Sequence, residues 1–358
     1  LQAFEPGQIL SGRYRVISVL GKGGMGLVYK VEQIFLGQEL ALKTIDKGEL
    51  TDISLRRFQT EARAVFSVNH PNIVALHDFG LLDETTPFMV MELATGRTLA
   101  EILQDRSLTL DEALSLFIQV CFGLAHAHEN GVIHRDIKPS NIMLMDGMPW
   151  GTEGSVKILD FGIAKLVHHE EGEIQALTRT GEIFGSPLYM SPEQCLGGKV
   201  DHRSDIYSLG CVIFESLTRT PPFVSDNALS TMLMHQSSTN PSLKEASMGV
   251  DFPLALEEVL HKMLAKNPNN RYQNLGHTAH DLAALKRGER GSDQSSSAIR
   301  RADKSDKNSR SAKTITIEKL KFTAMLAATF VICSLVTVAI TVAAHNPSTT
   351  SENTATTR

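Results

Sequence analysis

The sequence predicts an α+β fold of two lobes: a small antiparallel β-sheet lobe with one helix, then a larger, mainly α-helical lobe. A single C-terminal transmembrane helix follows. Three observations carry this expectation. Residues 12–45 run as short segments of alternating apolar and polar residues broken by glycine-containing turns, which is the period of half-buried strands. From residue 97 onward apolar residues recur mostly at helical spacing, most clearly in TLDEALSLFIQVCFGLAHAHENG, residues 109–131. Finally, Phe322–Ala344 runs for 23 residues without a charge.

RYRVISVL, LVYKVEQ and ELALKTI read as three antiparallel strands. In SLRRFQTEARAVFSV the residues Leu55, Phe58, Ala62, Val65 and Phe66 recur at helical spacing, so one helix packs on that sheet. Two more strands are expected at Ile73–Asp78 and Phe88–Glu92. The helix at 109–131 has its ends written in: Thr109 and Glu112 form a capping box, and Gly131 stands where a left-handed C-cap belongs. Its stripe is Leu110, Leu114, Phe117, Cys121 and Leu124. MDGMPWGTEGS, Met145–Ser155, is rich in glycine and contains the only tryptophan, and it reads as a surface loop. Residues 291–312 are polar and hold hardly any large apolar side chain, so they cannot bury enough surface to fold. No internal repeat is evident.

The four cysteines lie far apart, with no CxxC pair and no His cluster at zinc-ligand spacing, which indicates neither a disulfide framework nor a metal site and suits a reducing compartment. The net charge of −5 conceals an asymmetry. Residues 286–321 hold eleven Lys/Arg against five Asp/Glu, while everything before them sums to −11. This stretch is read as a basic, flexible juxtamembrane linker. As a helix, residues 322–344 would span roughly 34 Å and so cross a hydrocarbon core of about 30 Å. Arg310, Lys313, Lys319 and Lys321 precede the span and only Arg358 follows it. The positive-inside rule therefore puts the N-terminal part in the cytoplasm and residues 345–358 outside, as in a single-pass protein of the cell membrane. Nothing at the N-terminus reads as a signal peptide, so a tail-side anchor is expected.

GKGGMGLVYK begins at Gly21 and suits a loop whose backbone closes on phosphate. A Walker A loop is excluded, because Gly26 is followed by Leu27 and Val28 rather than Lys-Ser/Thr. A Rossmann loop would open a helix, whereas LVYKVEQ is β-branched and aromatic and suits a strand. What remains is a flap joining two strands over a nucleotide, which calls for a lysine on the next strand; Lys43 is there.

HRDIKPSN spans His134–Asn141 directly after the capped helix, DFG begins at Asp160 and SPEQ at Ser191. With these motifs in this order, the sequence resembles the eukaryotic-type, or Hanks-type, serine/threonine protein kinases, in particular membrane-anchored bacterial ones. The resemblance covers residues 14–285 and implies a bilobal protein-kinase fold that uses ATP with Mg²⁺, Mn²⁺ being the alternative ion. It implies that Gly21, Lys22, Gly23, Gly24, Met25 and Gly26 cover the phosphates, and that Lys43 clamps them and pairs with Glu61. Asp136 would orient the acceptor hydroxyl and take its proton, Lys138 would offset γ-phosphate charge, and Asn141 and Asp160 would hold the metal. Val28, Ala41 and Leu144 would wall the adenine, backbone groups of Glu92 and Ala94 would bond it, and Met91 would guard the deeper pocket. His134 is expected to pack against Phe161 rather than to act in catalysis. Glu193 would pair with Arg271, and Asp205 would tie down the catalytic loop.

Arg135 precedes Asp136, and an arginine there calls for an anionic partner, so Thr178 and Thr180 are candidate phosphorylation sites. Implied partners are protein substrates, the cytoplasmic membrane and a second copy through the small lobes, with no nucleic acid. A scaffold of this fold without catalysis would lack Lys43, Asp136, Asn141 or Asp160, and all four are present. A small-molecule kinase would lack the protein-docking GSPLYMSPE segment, residues 185–193. The resemblance also implies, through Lys138, serine or threonine rather than tyrosine as acceptor.

Overall fold

A computed structural model describes residues 3–23, 26–45, 52–83, 86–161 and 186–288. The small lobe is a six-stranded antiparallel sheet made of β1 (Ile9–Leu10), β2 (Tyr14–Gly23), β3 (Gly26–Gln33), β4 (Gln38–Thr44), β5 (Leu76–Leu82) and β6 (Thr86–Glu92). Their order in the sheet is β1-β2-β3-β4-β6-β5. Alternation along the strands divides the work. Leu40, Leu42, Phe88 and Val90 join a separate apolar cluster with Tyr14, Tyr29 and Val31, while the intervening residues face the other way. The helix α1 (Asp52–Phe66) sits between β4 and β5 in the chain and buries Phe58, Ala62 and Val65 in the main core.

Two expectations need correction here. The strand foreseen at Ile73–Asp78 begins three residues later, at Leu76, and runs to Leu82. Ile73 and Val74 are buried connectors: Ile73 makes an isolated parallel bridge to Ile158, and the Val74 N–H donates to the Ile158 carbonyl. Phe66 does not complete the buried stripe of α1, being 51% exposed, and it packs edge-on against Phe79 at 6.3 Å.

Gly26 closes the β2–β3 turn opposite Gly23. Its φ is +145°, and a Cβ there would lie 1.8 Å from the Thr44 carbonyl oxygen. Replacing it with alanine is therefore expected to force the β3–β4 ladder apart, with a loss of about 3 kcal/mol or more read as a lower denaturant midpoint. An unchanged midpoint would show that the flap opens without cost.

The larger lobe opens with β7 (Gly96–Thr98), α2 (Leu99–Asp105) and α3 (Leu110–Glu129), followed by β8 (Ile142–Met145) and β9 (Val156–Ile158). Strands β7, β8 and β9 form a three-stranded sheet. The helices α4 (Pro192–Cys195), α5 (His202–Thr218), α6 (Ala228–Ser237), α7 (Leu243–Ala246), α8 (Leu254–Met263) and α9 (Leu275–Lys286) complete the described part. Thr109 and Glu112 form the foreseen capping box on α3, and Gly131 follows its end at φ +75°. Among the described residues α3 alone is long and apolar enough to cross a membrane; it is a core helix, with Leu116, Val120, Cys121 and Leu124 fully buried. The linker beyond residue 288, the span at 322–344 and the tail lie outside the described residues. Met145 of the foreseen loop ends β8, and residues 146–155 connect β8 to β9 and seat Trp150 against the main core.

Candidate active site

A cleft of about 760 Å³ runs under the glycine loop, within the range of small-molecule sites. The sheet register builds its upper wall by setting Val28 opposite Lys43 and Ala41 opposite Met91. Gly21, Lys22, Glu92, Ala94 and Asp160 also line it. Gly23 faces Gly26 across the turn, whereas Gly24 and Met25 lie outside the described residues. The adenine wall assigned to Leu144 is corrected: the cleft is lined by Met143. On β8 the neighbours Ile142 and Leu144 point into the core, so the pleat turns Met143 to this side. Leu144 instead borders a second cavity of about 300 Å³ with Trp150, Arg97 and Asp105. Leu20, Val74 and Leu159 line the cleft without having been foreseen.

The loop between α3 and β8 supplies the charged groups. Its backbone hangs on Asp205 of α5, whose carboxylate accepts from His134 N and Arg135 N, each at 2.8 Å, and from His128 Nε2 at 2.8 Å. Burial raises the Asp205 carboxyl, but the His128 bond and the neighbouring His134 N–H outweigh it and hold it below its ordinary value, so the anchor stays ionised. His134 is fully buried, its pKa lowered by that burial, and it reaches the Leu159 carbonyl through Nε2 at 2.8 Å. Its ring lies 4.8 Å from that of Phe161, the packing role foreseen for it. Leu159 N donates to the Asn141 carbonyl at 2.9 Å, which ties the loop to Asp160.

Within that frame Asp136 Oδ2 lies 2.8 Å from Lys138 Nζ, and Asn141 Nδ2 donates to the Asp136 carbonyl at 2.8 Å. With its nitrogen so used, Asn141 keeps its amide oxygen as the end suited to a cation. Lys43 Nζ lies 2.9 Å from Asp160 Oδ2. The expected Lys43–Glu61 pair is not formed in this structure. Glu61 lies instead 3.8 Å from Arg135, because α1 presents it to the catalytic loop, and Lys43 takes Asp160 as its carboxylate. Among the described residues no cluster of three His, Cys, Asp or Glu is placed to hold a metal. Two oxygen donors suit Mg²⁺, which keeps several waters and takes phosphate oxygens.

Glu193 and Arg271 form the foreseen pair, bidentate at 2.7 and 2.8 Å. One further contact was not foreseen: Lys157 of β9 pairs with Glu92 at 2.9 Å, joining β6 to the β8–β9 hairpin.

A family model described as protein kinase domain matches residues 14–283. The chain belongs to the protein kinase family. PrkC of Bacillus subtilis, named a serine/threonine-protein kinase, is 40% identical over 280 residues, covering 78% of this chain and 40% of PrkC. PknB of Mycobacterium leprae, named likewise, is 37% identical over 287 residues, covering 78% of this chain and 44% of PknB. The chain thus spans less than half the length of these relatives. Among solved structures, the PknI kinase domain of Mycobacterium tuberculosis superposes with a TM-score of 0.61 at 26% identity, over 79% of this chain and 98% of that one. The chain therefore shares the bilobal fold, and Asp160 lies in its cleft. Protein kinases as a family use ATP and a divalent metal. Thr178 and Thr180 lie outside the described residues.

Proposed function

We propose that the chain transfers the γ-phosphoryl group of ATP to serine and threonine hydroxyls of proteins. The observation that carries this reading is the meeting of two charge pairs, Lys43–Asp160 in the cleft and Asp136–Lys138 beside it, joined by the Asn141–Leu159 backbone bond. The base of ATP fits between Ala41, Val28 and Met143, with the Glu92 and Ala94 backbone at its edge. Lys43 binds the α- and β-phosphates, and the glycine loop excludes water above them. Asp136 orients the acceptor hydroxyl and accepts its proton, while Lys138 neutralises charge that develops on the transferred group. Asn141 and Asp160 would hold Mg²⁺, which would supply charge neutralisation at the phosphates. With Asp160 given to the metal, Glu61 would be the carboxylate left for Lys43.

The wider reading is a membrane-anchored signalling enzyme, with residues 322–344 as the span, the kinase domain on the cytoplasmic side, and Thr178 or Thr180 phosphorylated to engage Arg135. The decisive experiment incubates the full chain with γ-labelled ATP, Mg²⁺ and casein, then identifies the labelled amino acids. Label on serine or threonine is expected; a chain that labels neither casein nor itself would falsify the proposal. For the anchor, the chain is expected to stay with the membrane fraction after an alkaline wash, and release by the wash would remove it.

A further inference from the structure

Gln194 has a part that neither the motifs nor the cleft explain. It is the third residue of α4, and Ser191 caps that helix. The capping box is reciprocal: Gln194 N donates to Ser191 Oγ at 3.3 Å, and Ser191 N donates to Gln194 Oε1 at 3.0 Å. A capping box needs only an acceptor at this position, and a glutamate serves as well as a glutamine, with the helix dipole in its favour. What glutamine adds is an amide N–H, and the structure uses it: Nε2 donates to the Arg135 carbonyl at 3.0 Å. The orientation is settled by the partners, because Oε1 faces an N–H and Nε2 faces a carbonyl.

The residue so held is an unusual one. Arg135 sits at φ +63°, in the left-handed region that disfavours any side chain with a Cβ. Its N–H is gripped by Asp205 and its carbonyl by Gln194. That carbonyl belongs to the peptide plane whose nitrogen is Asp136 N, which in turn donates to His134 Nδ1 at 3.3 Å. Rotating this plane would swing the Asp136 side chain. Two groups therefore hold the plane before the proton-accepting carboxylate: His134, at its N–H, and the segment 186–195, through Gln194 at its carbonyl, while Asp205 of α5 grips the preceding plane. The second of these also carries the surface on which a protein acceptor would dock.

We propose that Gln194 is a positioning residue for phosphoryl transfer, coupling the docking segment to the backbone that aims Asp136. The proposal rests on the kinase reading above. Its substitutions separate cap from coupling. Gln194→Glu keeps the acceptor for Ser191 N and removes the donor to Arg135, whereas Gln194→Ala removes both.

In the full chain with casein as acceptor, Q194E is expected to melt near the wild-type temperature. Its kcat falls by about tenfold and its KM for ATP stays put, since the residue touches no part of the cleft. Backbone hydrogen exchange across 134–137 is expected to quicken in Q194E, while the α3 core stays protected. Q194A should show the same kinetic loss together with a lower melting temperature. Wild-type kcat in Q194E, or wild-type exchange at 134–137 in that variant, overturns the coupling and leaves Gln194 as a helix cap. A wild-type chain that labels no acceptor overturns the kinase reading instead, and the exchange comparison still decides the coupling.

Discussion

Replacing Asp136 with asparagine is expected to lower kcat for phosphate transfer about a thousandfold and leave the fold intact. The carboxylate sits 2.8 Å from Lys138 Nζ, and an amide oxygen in the same place can still accept from that ammonium. What the amide cannot do is accept a proton from the acceptor hydroxyl. Asp136 is not among the residues lining the cleft, so nucleotide affinity should change little. The measurement is a pair of assays on one preparation: turnover with casein, and ATP affinity by titration. Equal turnover in the two proteins would remove Asp136 from the chemistry and the proposed function with it.

The second large effect concerns stability. Arg271 is fully buried and makes bonds to both oxygens of Glu193 and to the carbonyls of Ala265, Arg203 and Lys266. Arg271→Met would leave Glu193 with Ser204 Oγ as its remaining side-chain partner among the described residues. Removing one partner of a buried pair costs about 3–5 kcal/mol, because the surviving charge remains desolvated. In a domain of this size that corresponds to a fall in Tm of roughly 10 °C or more.

The pH dependence has a definite sign. Burial raises the Glu193 carboxyl, but the Arg271 and Ser204 bonds outweigh it and leave its folded pKa lowered. Its contribution is therefore fully present above the unfolded carboxylate value, about 4.3, and is lost as pH falls through the lower folded value. The gap in Tm between wild type and Arg271→Met should be widest above about pH 5 and shrink below about pH 4. A gap independent of pH would assign the loss to packing alone.

Much of the fold and the charged part of the site was legible because both are written in local code. Thr109, Glu112 and Gly131 mark the two ends of α3 without reference to anything distant. The alternation in LVYKVEQ and ELALKTI gives strands and, through them, the face that carries Ala41 and Lys43. Leu144 was misassigned for a reason of parity. Met143 and Leu144 are both large and apolar, and only the count from buried Ile142 says which one faces the cleft. Strand β5 was set too early because Ile73 and Val74 are β-branched and apolar, as strand residues are, yet they are buried as links to β9. The Lys43–Glu61 pairing depends on where α1 docks, which is a matter of tertiary packing that spacing along the chain cannot report. Gln194 escaped notice because its capping role accounts for it locally, and its second partner is 59 residues away.

The division of apolar clusters has a consequence for how this protein can diverge. The curl of the sheet encloses Leu40, Leu42, Tyr29 and Val90 in a pocket of packing that α1 does not enter, whereas Phe58, Ala62 and Val65 of α1 belong with the large lobe. Drift in the sheet interior stays private to the hairpins that roof the cleft. Drift beneath Glu61 is felt as far away as Phe161, so the roof is free to evolve on its own while the helix that carries Glu61 must change in step with the core below it.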